Sequence, residues 1–218
     1  MLTPKQRYQN DLAREGFVAD DAQAFAVDQL DDLFHRLVAR NNGRKGGLLA
    51  KLLKSAQAPE KGLYFWGGVG RGKTFLMDSF YESLPFKKKM RIHFHRFMRR
   101  VHQDLDCHKG KANPLDSVAE SIAGEAQVIC FDEFFVSDIT DAMILALLLE
   151  GLFQRGVTLV VTSNIIPDLL YRDGLQRERF LPAIDLLNHH CKVLNVDGGR
   201  DYRLRALEKA ELYYSPLG

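Results

Sequence analysis

Eight residues constrain this chain more than any others: "GGVGRGKT", Gly67 to Thr74. They match the spacing G-x-x-x-x-G-K-[ST] and stand between an apolar β-type run, "GLYFWG" (62–67), and a helical pattern. Glycines at this density let backbone N–H groups curl around one anionic group, and a helix N-terminus directly behind them adds a favourable dipole. The expectation is a phosphate-binding loop made by Gly67, Gly68, Val69, Gly70, Arg71, Gly72, Lys73 and Thr74. Lys73 would reach the β- and γ-phosphates, and the Thr74 hydroxyl would ligate Mg²⁺. A plain tight turn is the competing reading; the strand before the loop and the helix after it argue against it.

Such a loop needs a sheet to stand on, and the chain supplies one from residue 61 onward. Five short β-type runs alternate with helical segments: 62–67, 90–95, 126–133, 157–164 and 191–197. The second, third and fourth are nearly all apolar, the pattern of strands buried on both faces of a parallel sheet. The fold class expected is α/β, a five-stranded parallel sheet flanked by helices. "SDITDAMILALLLEGLFQRG" is apolar almost all round and should pack deep, capped by Ser137 or Asp138 and ended near Gly156. Residues 1–60 read as an N-terminal helical segment and 61–218 as the nucleotide-binding core. In the first segment Thr3 and Pro4 start a helix that Gly16 stops, a longer helix follows, and "LLAKLLKS" forms one or two amphipathic turns. There is no internal repeat.

Composition narrows the function classes. The formal net charge is +2, so the chain is not a polycation that must seek nucleic acid, although 44–55 and 87–100 are locally basic. Cys107, Cys130 and Cys191 are far apart and form no C-x-x-C, which fits a reducing compartment. The N-terminus has no signal-peptide core, and the longest apolar run, Ala142 to Leu149, is too short to span a bilayer. A cytosolic protein is expected, or one peripheral to a membrane.

Three further stretches carry chemistry. "VICFDE" ends an apolar strand in two carboxylates at the end that faces the phosphate loop. Asp132 is expected to hold Mg²⁺ through water, and Glu133 to activate the attacking water. "VVTSN" ends the next strand in polar groups. Asn164 reads as a sensor of the γ-phosphate or the lytic water, while Thr162 and Ser163 read equally as groups that satisfy backbone. In "YRDGLQRERF", Arg177 and Arg179 are either solvated arginines or an arginine finger that completes a neighbouring subunit's site. His93 and His95 alternate along a strand without metal-site spacing. Phe97 and Met98 read as core rather than as a substrate grip.

Phosphate loop, Asp-Glu strand, Asn-tipped strand and arginine, in that order over five strands, resemble the AAA+ ATPase core. "HFHRFMRRVHQDL", "VICFDEFFVSDITDAMIL", "TSNIIPDLLYRDGLQRERFLPAIDLL" and "DYR" (201–203) resemble more closely the ZapE-type cell-division ATPases and their mitochondrial Lace-type (Afg-like) relatives. The resemblance implies ATP hydrolysis with Mg²⁺ and a homo-oligomer with the finger in trans. It also implies action on FtsZ and division-ring proteins at a cytoplasmic division site, and it leaves room for peripheral contact with the inner membrane. It favours Arg177 as the finger; a looser comparison with other AAA+ cores favours Arg179. AAA+ cores continue into a helical lid, and about twenty residues after Asp197 are too few to build one. A lid-less core with slow turnover is therefore expected. The alternative function is an AAA+ ATPase of helicase-loader type acting on single-stranded nucleic acid. A small-molecule kinase accounts poorly for Glu133 and Asn164, which suit water as nucleophile.

Overall fold

The computed structural model describes residues 2–13, 21–43, 58–110 and 112–197. The expectations about Gly16, the 48–55 turns, the 201–203 stretch and the lid fall outside them. The five strands are β1 (Gly62–Trp66), β2 (Lys89–His93), β3 (Val128–Asp132), β4 (Thr158–Ser163) and β5 (Cys191–Asn195). They form one sheet in the order β2-β3-β4-β1-β5, with every neighbouring pair parallel. Parallel neighbours need crossovers, and helices supply them. The helices are α1 (Pro4–Leu12), α2 (Asp21–Gly43), α3 (Lys73–Ser83), α4 (Phe94–Cys107), α5 (Pro114–Glu125), α6 (Ile139–Gln154) and α7 (Leu181–His190). Short 3-10 turns at Pro167–Leu169 and Arg177–Arg179 lie between β4 and α7.

Alternation along the strands sorts side chains into two apolar layers. Leu63, Phe65, Val128, Cys130 and Val160 face α1, α2 and α3. Tyr64, Ile129, Phe131, Leu159 and Val161 face the layer of α4 to α7. The two N-terminal helices thus share a core with the phosphate-loop helix and one sheet face. Polar ties reinforce this. Arg36 donates to Glu60 and to the Lys61 carbonyl at the entry to β1, and Arg40 donates to the Gly156 carbonyl before β4. At the start of α1, Thr3 and Gln6 form the reciprocal capping box, with Pro4 behind the cap.

β2 departs from expectation. It is the sheet edge, and all five of its residues are only half-buried. Lys89 and Arg91 need an edge, where their charged ends reach partners, and β1 takes the interior place instead. The deep helix is α6, capped by Asp138, whose carboxylate accepts from the Thr140 and Asp141 N–H groups.

Gly62 shows how tightly β1 enters the sheet. A Cβ there would lie 1.9 Å from the Leu159 carbonyl oxygen of β4. Backbone cannot step aside as a flexible side chain can. Gly62→Ala is therefore expected to cost about 2 kcal/mol of stability. A lower urea midpoint at unchanged slope would report it.

Candidate functional site

Four segments converge at the C-terminal edge of the sheet: the loop after β1, the start of α3, and the ends of β3 and β4. They enclose a cleft of about 330 Å³ lined by Val69 to Thr74, Asp132, Glu133 and Thr162 to Asn164. The loop takes its shape from its glycines. Gly67, Gly70 and Gly72 have φ of 142°, 81° and 79°, backbone that disfavours side chains. Gly72 is further restricted by the buried Gln23 of α2. The Gln23 amide donates to the Arg71 carbonyl at 3.0 Å, and a Cβ on Gly72 would stand 2.7 Å from its nitrogen. α2 thus braces the phosphate loop from behind.

Lys73 opens α3 and is nearly buried. Its ammonium donates to the Gly67 and Gly68 carbonyls, both at 2.7 Å, and to Asn164 Oδ1 at 3.2 Å. Burial holds its pKa below the ordinary lysine value, with the Asp197 charge pulling partly back. Asp197 lies past β5, pairs with Arg71 at 2.8 Å and accepts from the Gly68 N–H at 3.4 Å.

Asp132 ends β3 with its side chain only 3% exposed, so its charge must be matched within the protein. Its Oδ1 accepts from the hydroxyls of Thr74 at 3.0 Å and Thr162 at 2.7 Å. Its Oδ2 accepts from Arg91 of β2 at 2.9 Å. Glu133 follows with φ 55°, a left-handed turn that costs a non-glycine residue about 1 kcal/mol. The turn sends its side chain outward, 74% exposed, while its N–H donates to Thr162 Oγ1 at 3.1 Å. The two adjacent carboxylates therefore face different surroundings, one held by three donors and one open to solvent. The donor set fits a magnesium nucleotide. Thr74 and Asp132 offer hard oxygen ligands, and Lys73 with the loop N–H groups offers the complement of phosphate.

Neighbours to which local pattern assigns no part in the site complete it. His93 ends β2 directly opposite Asp132 in the register. Its Nδ1 lies 3.7 Å from both Asp132 Oδ2 and Glu133 Oε2. His95 is not on the strand at all, because β2 stops at His93; it sits in the first turn of α4, its ring stacked on His93 at 5.9 Å. Tyr64 donates to the Ile165 carbonyl at 2.9 Å and so fixes the chain just beyond Asn164. Burial raises the Tyr64 pKa, which keeps that hydroxyl a donor. Ser163 donates to the Phe134 carbonyl, a backbone role, whereas Thr162 joins Asp132 to Glu133.

Arg177 and Arg179 do not line the cleft. Arg177 donates to the Asp168 carbonyl at 2.7 Å, and Arg179 is exposed. Phe97 and Met98 are fully buried in the core, as expected. No described helix is long and apolar enough to cross a membrane.

The model of the AFG1-like ATPase family matches residues 2–218. The cell division protein ZapE of Escherichia coli strain K12 is 52% identical over 225 aligned residues, which cover 99% of this chain and 60% of that protein. The chain thus spans about three-fifths of the length of that curated relative. Among solved structures, AMPPCP-bound DnaA from Aquifex aeolicus superposes with a TM-score of 0.56 at 13% identity, covering 94% of this chain and 56% of that one. The DnaC helicase loader does so with 0.52 at 15% identity, covering 87% and 98%. At such identities these two describe the fold alone, a parallel α/β core.

Proposed function

The chain belongs to the AFG1-like ATPase family, and from that premise we propose that it hydrolyses ATP and uses the energy to remodel FtsZ polymers at the bacterial division ring. The observation that carries the ATPase reading is the convergence in one cleft of the Lys73–Asn164 contact at 3.2 Å and the Thr74–Asp132 contact at 3.0 Å. In this scheme the loop N–H groups and Lys73 bind the phosphates, and Thr74 and Asp132 hold Mg²⁺. Bound there, the ion would neutralise charge on the phosphate oxygens. Glu133 accepts a proton from the attacking water, and Asn164 orients that water or the γ-phosphate. Arg177 or Arg179 serves a neighbouring copy, a role supported by their place outside their own cleft. The division-ring reading rests on the likeness to ZapE, and with it go a cytoplasmic division site and contact with division-ring proteins. The chain is proposed to divide into an N-terminal helical segment, 1–60, and a nucleotide-binding core, 61–218.

The test is phosphate release measured with and without FtsZ polymers, beside sedimentation of those polymers. The expected result is faster release with FtsZ and a loss of sedimented polymer that requires ATP. Stimulation by single-stranded DNA that fades with added salt, without any FtsZ effect, would turn the reading toward nucleic-acid loading.

A further inference from the structure

Arg91 stands beside the cleft without lining it, yet it touches the carboxylate on which metal binding depends. From edge strand β2 its Nε donates to Asp78 Oδ1 at 2.7 Å, and its terminal NH₂ group donates to Asp132 Oδ2 at 2.9 Å. A longer contact of 3.4 Å runs to Asp78 Oδ2. Asp78 lies on α3 one turn after Thr74. One guanidinium is therefore shared between an acid on the phosphate-loop helix and the acid at the tip of β3.

The two oxygens of Asp132 are divided between different partners. Oδ1 takes the hydroxyls of Thr74 and Thr162, while Oδ2 takes Arg91. Oδ1 is thus held toward Thr74, on the side where the metal's oxygen donors gather. Part of the carboxylate's charge is offset from the opposite side by the shared guanidinium. A divalent cation arriving alone therefore meets a weakened carboxylate. The pull becomes strong once phosphates add their own negative charge. Without the guanidinium, Asp78 and Asp132 would leave two negative charges close to Thr74, enough to draw a hard cation directly.

We propose that Arg91 is a positioning residue that makes Mg²⁺ binding at Thr74 and Asp132 conditional on nucleotide. It aims Asp132 and cancels part of its charge, and Asp78 sets how firmly it does so by competing for the same guanidinium. The inference rests on the reading of the cleft as a magnesium-nucleotide site.

The test uses the whole chain and the variants Arg91→Gln and Asp78→Asn. Two quantities are read: the thermal shift produced by Mg²⁺ without nucleotide, and the Mg²⁺ concentration that half-saturates binding of a fluorescent ATP analogue. Wild type is expected to show no shift with Mg²⁺ alone. Arg91→Gln is expected to gain such a shift and to need about fivefold less Mg²⁺. Asp78→Asn removes the charge that competes for the guanidinium, leaves it more to Asp132 and is expected to need about threefold more. Opposite directions are the signature, because a merely structural contact would weaken the site in both variants. Variants that move together, or an Arg91→Gln protein with wild-type Mg²⁺ dependence, overturn the proposal while nucleotide binding stands. Should Arg91→Gln fail to fold, Arg91→Lys, which keeps the charge and loses the fork, takes its place beside Asp78→Asn, and an unchanged or lowered Mg²⁺ requirement in Asp78→Asn overturns the proposal. A wild type that binds no nucleotide at any Mg²⁺ concentration overturns the underlying site reading as well.

Discussion

Glu133→Gln is expected to bind ATP as the wild type does and to release phosphate about 10³-fold more slowly. The substitution keeps the shape of the side chain and removes only its capacity to take a proton. Little else should change. The side chain is 74% exposed, and what ties this residue to the fold is its backbone N–H on Thr162, which Gln retains. The left-handed φ of 55° is no harder for Gln than for Glu. Folding and binding should therefore survive, and the loss should fall on the chemical step. Single-turnover phosphate release at saturating ATP, beside a nucleotide Kd, separates the two. Turnover within about tenfold of wild type would remove Glu133 as the base. Attention would then pass to His93, whose Nδ1 lies 3.7 Å from both carboxylates.

That alternative points to what a sequence can and cannot disclose here. The phosphate loop, Asp132, Glu133 and Asn164 are legible because each sits at a strand end or helix start that local pattern marks. Apolar runs of five or six residues name the strands, and a parallel sheet brings their C-terminal tips together without further information. Arg91, His93, Gln23 and Asp197 reach the site by another route. Arg91 and His93 depend on β2 pairing with β3 in a particular register, His93 opposite Asp132, which no local pattern fixes. Gln23 depends on how α2 lies across the loop, a matter of packing between Leu30, Leu33, Leu37 and the sheet. A polar residue in the first turn of an amphipathic helix gives no sign that it will be buried against Gly72. His95 shows the opposite error. Alternation in the sequence continues two residues past the point where the chain turns into α4, so His93 and His95 meet by stacking across a strand–helix junction and not by pleat. The density of apolar residues in 90–95 points to an interior strand. Lys89 and Arg91 are the signal for an edge, since each needs an outlet that an interior strand denies.

Lys73→Ala is expected to weaken nucleotide binding by about 100-fold, close to 3 kcal/mol, while leaving the fold intact. The ammonium sits among the loop carbonyls and donates to Gly67, Gly68 and Asn164. Asn164 Oδ1 borders the cleft, where water can replace the lost donor, while the buried Gly67 carbonyl loses it outright. The protein without nucleotide also carries a cost that the variant relieves. Burial depresses the Lys73 pKa, so the unfolded chain holds this proton more firmly than the folded one. Between the lowered value and the ordinary lysine value of 10.5 the unfolded state binds more protons, and stability from this group therefore rises with pH across that window. The difference in stability between wild type and Lys73→Ala should carry that slope when nucleotide is absent. Bound phosphate, by favouring the charged ammonium, should flatten it. Urea midpoints for both proteins from neutral pH to 10.5, with and without ATP, read the effect. Parallel curves would mean that Lys73 does not meet the phosphates through its charge. Lost affinity together with lost slope would place the nucleotide's anionic end on this ammonium.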